Sequence, residues 1–129
     1  LKDKTEYLID SDILIEHLGH NDKNTESILE KAIKKGNCFT TAINASELYL
    51  SAENSSVNEV ISKLLSSLTG VLGYHPRYSL TVYQLRNNVK DLRDAMFCSV
   101  AINNKLPILT YQAERYKAPG ITIISPDKL

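Results

Sequence analysis

Little in this chain suggests a fold held by covalent or metal cross-links. It has two cysteines, Cys38 and Cys98, far apart in sequence and each beside a phenylalanine, in Cys38-Phe39 and Phe97-Cys98. Neither belongs to a Cys-x-x-Cys or Cys-x-His pattern, which excludes a disulfide framework and a cysteine-ligated zinc site. Both read as reduced residues in an apolar core, as suits a cytoplasmic protein. An excess of charge of either sign is also missing. Fifteen Lys and Arg balance fifteen Asp and Glu, for a formal net charge of zero. A globally basic nucleic-acid-binding surface is thereby excluded, and any basic patch must be local. No apolar run approaches the length needed to cross a membrane. The opening Leu1-Lys2-Asp3-Lys4-Thr5-Glu6 is too charged for a signal peptide. There is no internal repeat and no low-complexity linker.

What is present is ordinary globular material: 129 residues, 43% hydrophobic and 23% charged. That length predicts one domain over 1–129, with a core large enough to fold unaided. Short apolar runs alternate with helical patterns. Tyr7-Leu8-Ile9 reads as a buried strand and Asp12 to Leu18 as a helix. Ile28, Leu29, Ala32 and Ile33 share a helical face that ends at Gly36. Cys38-Phe39-Thr40 reads as a second strand, followed by helices carrying Ile43, Leu48, Tyr49 and Ala52, then Val57 to Leu68. Val71-Leu72 is a third strand, and residues from Tyr78 to Asn88 and Leu92 to Asn103 have helical spacing. Pro107-Ile108-Leu109 and Ile121 to Ile124 supply two more strands. Alternation of this kind predicts an α/β fold, with a central parallel sheet of about five short strands flanked by helices. In such sheets a ligand sits beyond the carboxyl ends of the strands, so residues where a strand gives way to a helix carry the interest.

Acids stand at those junctions. Asp10 follows the first strand, with Ser11 and Asp12 beside it; Glu47 lies early in the helix after the second strand; Asp91 and Asp94 open the helix running to Asn103. Each has a structural reading as well. Ser11 or Asp12 can cap a helix, and Asn44 to Glu47 and Asp91 to Asp94 both fit a capping box. Three carboxylates gathered on one sheet edge repel one another unless a cation neutralises them. Oxygen donors without His or Cys favour Mg²⁺ or Mn²⁺ over zinc. Thr41 and Thr110, at strand ends like Ser11, can hydrogen-bond a phosphate or a ligand carboxylate, or simply cap helices. Arg93 reads as a solvated surface residue or a contact to substrate backbone. Lys90, Lys105, Arg115 and Lys117 are placed to meet phosphates at the mouth. His17 and His20 lack a metal-binding context. The apolar stripe from Val57 to Leu68, with the helix around Tyr49, is expected to serve a partner or dimer interface, or equally the core.

Together these segments resemble the PIN-domain nucleases. Tyr7-Leu8-Ile9-Asp10-Ser11-Asp12-Ile13-Leu14-Ile15 is similar to their opening motif, and Thr40-Thr41-Ala42-Ile43-Asn44-Ala45-Ser46-Glu47-Leu48-Tyr49 to their second. The stretch from Asp94 through Ala95 to Thr110 resembles their third. The resemblance covers essentially the whole chain and is nearest to the compact VapC-type toxins of toxin–antitoxin pairs. It implies a PIN-like three-layer sandwich and an endoribonuclease dependent on Mg²⁺ or Mn²⁺. It further implies RNA as substrate, a homodimer and a cognate antitoxin. Asp10 and Asp94 carry over as principal metal ligands and as catalytic residues, with Glu47 as the third acid. The chain departs from the pattern at Gln112, where the family often has Asp or Asn, and Asp12, Asp91 or Glu114 are the residues left to hold a second metal. Two rival readings follow from the same residues: a catalytically silent PIN-like protein-binding module, and a HAD-type phosphatase with Asp10 as nucleophile and Lys105 in its scheme.

Overall fold

The structure, a computed structural model, describes residues 5–129; residues 1–4 lie outside them. Five parallel strands form one sheet: β1 (Thr5–Ile9), β2 (Gly36–Thr41), β3 (Gly70–Leu72), β4 (Ile108–Leu109) and β5 (Ile123–Ile124). Their spatial order is β3-β2-β1-β4-β5. From β1 the chain moves outward through β2 to β3, then crosses back to lay β4 and β5 on the other side. The direction of winding reverses between β1 and β4, where Leu8 pairs with Ile108 and Ile9 with Leu109. A crevice opens beyond the carboxyl ends of strands at such a reversal, and Asp10 and Thr110 are the residues that enter it.

Strand alternation decides the layers. Along β1, Tyr7 and Ile9 turn to one face and Leu8 to the other. The first face packs on α1 (Ser11–Leu18), α2 (Ile28–Lys35), α3 (Ala42–Ser51) and α4 (Ser55–Ser67), with Ile13, Leu14, Leu29, Leu48, Ile61 and Leu64 in its core. The second packs on α5 (Ser79–Leu85) and α6 (Leu92–Asn104), through Leu85, Phe97, Cys98, Ala101 and Tyr116. The result is the three-layer arrangement expected from the sequence. Both cysteines are buried and free. Among the described residues no helix is long and apolar enough to cross a membrane.

Element boundaries differ from expectation where short-range chemistry intervenes. The segment from Tyr78 to Asn88 is not one helix: a 3-10 turn at Pro76–Tyr78 leads into the short α5. Gly36 is the first residue of β2 as well as the residue after α2, and its lack of a side chain lets β1 approach. A Cβ there would stand 1.9 Å from the Thr5 carbonyl oxygen. The stripe on α4 divides. Ile61, Leu64, Leu65 and Leu68 enter the core, while Val57 and Val60, with Leu50 and Tyr49 on α3, remain exposed.

Candidate functional site

Helix starts deliver the acids. Asp10 is the N-cap of α1, its Oδ1 accepting from the Ser11 backbone N–H at 2.7 Å. Asp91 is the N-cap of α6 and accepts from the Asp94 N–H at 3.1 Å, which holds Asp94 in the first turn. On α3 the cap is Thr41, with Asn44 completing the capping box, so the expected Asn44-to-Glu47 box does not form. Glu47 instead lies a turn further on and projects toward Asp10. Three elements thus bring Asp10, Glu47 and Asp94 to one place. Asp10 is 2% exposed and Asp94 5%.

Every bond to Asp10 is specific. Oδ1 also accepts from Asn44 Nδ2 at 3.4 Å and Arg93 Nη2 at 3.0 Å. Oδ2 accepts from Thr110 Oγ1 at 2.9 Å and the Tyr116 hydroxyl at 2.7 Å. Ser11 Oγ donates to Glu47 Oε1 at 2.7 Å while accepting from Asn44 Nδ2 at 2.8 Å. Asp12 turns toward Thr110, whose hydroxyl lies 3.1 Å from its Oδ2, and the Tyr111 backbone N–H donates to the same oxygen at 2.9 Å. The single Thr110 proton serves Asp10 or Asp12, one at a time. Asp12 Oδ1 is buried with no hydrogen-bond partner. Burial, and then the charge of Asp10, push the Asp12 carboxyl above its usual range.

Two guanidiniums supply the positive charge. Arg93 Nη2 donates to Asp10 Oδ1 and, at 2.7 Å, to Glu47 Oε1; Nη1 donates to Asp94 Oδ1 at 3.2 Å and to the Tyr116 hydroxyl at 2.5 Å. Arg115 Nε donates to Asp94 Oδ2 at 3.0 Å, and its Nη2 to Asp94 Oδ1. Burial alone would depress Arg93, but the Glu47 hydrogen bonds, with the charge and hydrogen bond of Asp10, reverse this and hold it protonated. Burial first, then Asp10, raises the Tyr116 phenol well above its ordinary range.

Several sequence assignments need correction. Arg93 is not a solvated residue: its side chain is 19% exposed and bonded to all three acids. Arg115, expected to meet phosphates at the mouth, pairs with Asp94 while its side chain stays 41% exposed, and its Nη1 donates to Gln112 Oε1 at 2.7 Å. Glu114 and Lys117 pair with each other on the surface at 2.8 Å, their side chains 83% and 68% exposed. Asp91 and Thr41 act as caps. Lys105 ends α6, a left-handed residue at φ 54°, about 18 Å along the helix from Arg93 by the helical rise. It lies at the opposite edge of the sheet from Asp10, which leaves the phosphatase scheme without its lysine. Lys90 is exposed and directly precedes Asp91, the N-cap of α6. His17 and His20 are engaged elsewhere, with Ser27 Oγ at 2.7 Å and the Thr25 carbonyl at 2.9 Å.

Sequence reasoning missed two contributors. Asn44 was legible as a capping residue, yet its amide also joins Thr41 to Ser11 and Asp10. Tyr116 sits in a 3-10 turn (Ala113–Tyr116), and nothing in its local sequence marks it.

An acidic cluster at the switch point of a doubly flanked parallel sheet defines a class of α/β protein whose chemistry takes place at carboxylates. Comparison with known proteins narrows that class. The PIN domain family profile matches residues 7–120, and the chain belongs to that family, a nuclease family that generally uses divalent metal ions. Among solved structures it is similar to VapBC2 from Rickettsia felis bound to a promoter DNA fragment (16% identity, TM-score 0.77, covering 94% of this chain and 98% of that one). DNA-bound VapBC from Salmonella typhimurium gives 19% identity and a TM-score of 0.76, over 95% and 98% of the two chains. VapBC-1 from nontypeable Haemophilus influenzae gives 16% and 0.76, over 96% and 100%. At these identities the likeness is one of fold. No curated protein sequence matches.

The residues present fit a hard divalent cation in kind. All donors are oxygens. Asp10, Asp12, Glu47 and Asp94, when ionised, place four negative charges against the two positive charges of Arg93 and Arg115. The deficit equals the charge of one such ion, and Asp12 Oδ1 is a buried acceptor with nothing to accept. Spacing is another matter: among the described residues no three His, Cys, Asp or Glu groups stand in a preformed metal arrangement.

Proposed function

We propose that this chain is an endoribonuclease dependent on Mg²⁺ or Mn²⁺, the toxin of a toxin–antitoxin pair. The observation that carries the reading is the meeting of Asp10, Glu47 and Asp94, from three different elements, on a single positive group at the carboxyl edge of the sheet. Asp10 and Asp94 would hold the metal. When bound, such an ion supplies Lewis-acid polarisation of a phosphodiester and lowers the pKa of an attacking water. Asp10 is kept in place by Ser11, Asn44, Thr110 and Tyr116, so its position is set before substrate arrives. Glu47, with a side chain 42% exposed, faces the mouth and would orient the water or accept its proton. Lys90 would meet substrate phosphate, joined by Arg115 on swinging outward from Asp94.

The partner reading rests on the structural relatives, which are VapBC complexes, and on apolar surface that the fold does not use. Leu50 is 91% exposed, and Tyr49 beside it on α3 and Val57 and Val60 on α4 are exposed as well. Leu80 and Tyr83 on α5 and Leu92 on α6 are also exposed. An antitoxin and a second copy of the chain are the occupants this reading assigns to these surfaces.

The test is cleavage of structured RNA by the purified chain with Mn²⁺, in parallel with chelator and with Asp94→Asn. Cleavage that requires the metal and falls at least about a hundredfold in the variant is expected. Cleavage that persists in both controls refutes the reading. The silent-module alternative draws on the two arginines seated among the acids, and it predicts neither cleavage nor Mn²⁺ binding.

A further inference from the structure

Arg93 occupies the second position of α6, directly before Asp94, and its guanidinium fork spans the acids. Nε donates to both Glu47 oxygens at 3.2 Å, and the terminal nitrogens reach Asp10, Glu47 and Asp94 at 3.0, 2.7 and 3.2 Å. The plane lies 5.1 Å from the Phe97 ring centre, and the Tyr116 hydroxyl takes one more N–H. All the parts of the fork are therefore used on the carboxylates or on the residue that steadies them.

Charge leaves room for a divalent ion here, but the lone pairs of Asp10 do not. Asp10 Oδ1 already accepts from three donors and Oδ2 from two. A small cation must approach these oxygens at about 2.0–2.1 Å, closer than any of the present hydrogen bonds. One donor must leave. The Ser11 donor is backbone, and Thr110, Tyr116 and Asn44 are completely buried. Arg93 borders the exposed Glu47 and has solvent to move into. It is also the donor whose positive charge a cation repels.

We propose that Arg93 is a built-in competitor of the divalent cation: its guanidinium and the metal share Asp10, Glu47 and Asp94 by exchange. This rests on the metal-site reading above. Arg93 makes the apo site self-neutralised, so the acids can stay clustered without metal, and metal binding carries the added cost of releasing the fork. If the guanidinium holds the acids about nine-tenths of the time, the apparent metal affinity falls about tenfold.

The experiment is calorimetric titration of the full chain with Mn²⁺, for wild type, Arg93→Met, Arg93→Lys and Asp94→Asn, with thermal scans at matched Mn²⁺. Arg93→Met, similar in length but uncharged, is expected to bind Mn²⁺ about tenfold or more tightly than wild type, and to gain more in Tm from added Mn²⁺. Arg93→Lys falls between, because an ammonium lacks the planar fork that reaches several acids at once. A wild type that binds Mn²⁺ beside an Arg93→Met that binds no more tightly overturns the competitor role and leaves the metal site intact. Absence of Mn²⁺ binding in every form overturns both. If Arg93→Met does not fold, Arg93→Lys decides: affinity equal to or below that of wild type overturns the inference.

Discussion

Removing one oxygen atom tests the scaffold behind Asp10. Tyr116 is completely buried, its ring 5.3 Å from that of Phe97. Tyr116→Phe keeps this packing and deletes only the hydroxyl that donates to Asp10 Oδ2 and accepts from Arg93 Nη1. Hydrogen bonds to charged groups are worth roughly 1.5–3 kcal/mol each. The two do not add, because Asp10 Oδ2 keeps Thr110 and Arg93 Nη1 keeps Asp94; neither is left orphaned. A loss of about 2 kcal/mol follows, or roughly 5–10 °C in Tm for a chain of this size. Urea and thermal denaturation followed by far-UV circular dichroism, without divalent cations, give the number. Between roughly pH 6 and pH 9 the gap from wild type should stay flat, since burial and then Asp10 keep the phenol protonated throughout. A loss below about 0.5 kcal/mol, the size of an ordinary surface change, refutes the idea that Tyr116 holds the carboxylate.

Two other predictions concern the core. Gly36→Ala sets a Cβ 1.9 Å from the Thr5 carbonyl oxygen and 2.7 Å from its carbon, so β1 must move away from β2; a loss of about 1–3 kcal/mol or more is expected, and an unchanged Tm would refute it. Burial raises Cys38 from 9.0 to about 11 and raises Cys98, with help from the Asp94 and Asp10 charges, to about 12. Folded thiols then keep protons that unfolded ones lose, so the stability they contribute is complete below pH 9 and is lost as pH rises toward 11 and 12. At about 1.4 kcal/mol per unit per thiol, urea stability should drop by several kcal/mol across that window. Cys98→Ala should flatten its share of the slope; a slope identical to wild type would count against the burial argument.

Much of the scaffold was legible because it depends on local pattern. Tyr7-Leu8-Ile9 announces a strand buried on both faces, and the chain places the next residue, Asp10, at its carboxyl end whatever follows. Asp91 and Asp94 show their cap spacing directly. What the local sequence cannot carry is convergence. Whether an Arg in the first turn of a helix meets water or acids depends here on Asp10 and Glu47, residues from distant segments brought together only by sheet order. Arg93 was therefore read as solvated. Tyr116 was invisible for the same reason, since a 3-10 turn has no periodicity to announce an inward side chain. Asn44 shows a subtler failure. Its role as a helix-start residue was seen, but the cap belongs to Thr41, and this shift of three residues turns the Asn44 amide into the link between β2 and Asp10.

The cations changed more than the acids between sequence and structure, and physics gives the reason. An acid at a helix start is tied by its own cap or by the macrodipole, so its place follows from the backbone. A long basic side chain is tied only by the partners it finds. Lys105 is removed from the acids by the length of α6, and Lys117 finds a neighbouring partner in Glu114. Arg93 is drawn inward because a guanidinium fork can bridge carboxylates that an ammonium can satisfy only singly, and Arg115 because its fork grips the single Asp94 carboxylate with two nitrogens. The pocket thus selects arginine over lysine before any substrate enters. In the proposed nuclease Lys90, exposed just ahead of Asp91, would meet phosphate from the start, and the two arginines become available only as the acids find another cation.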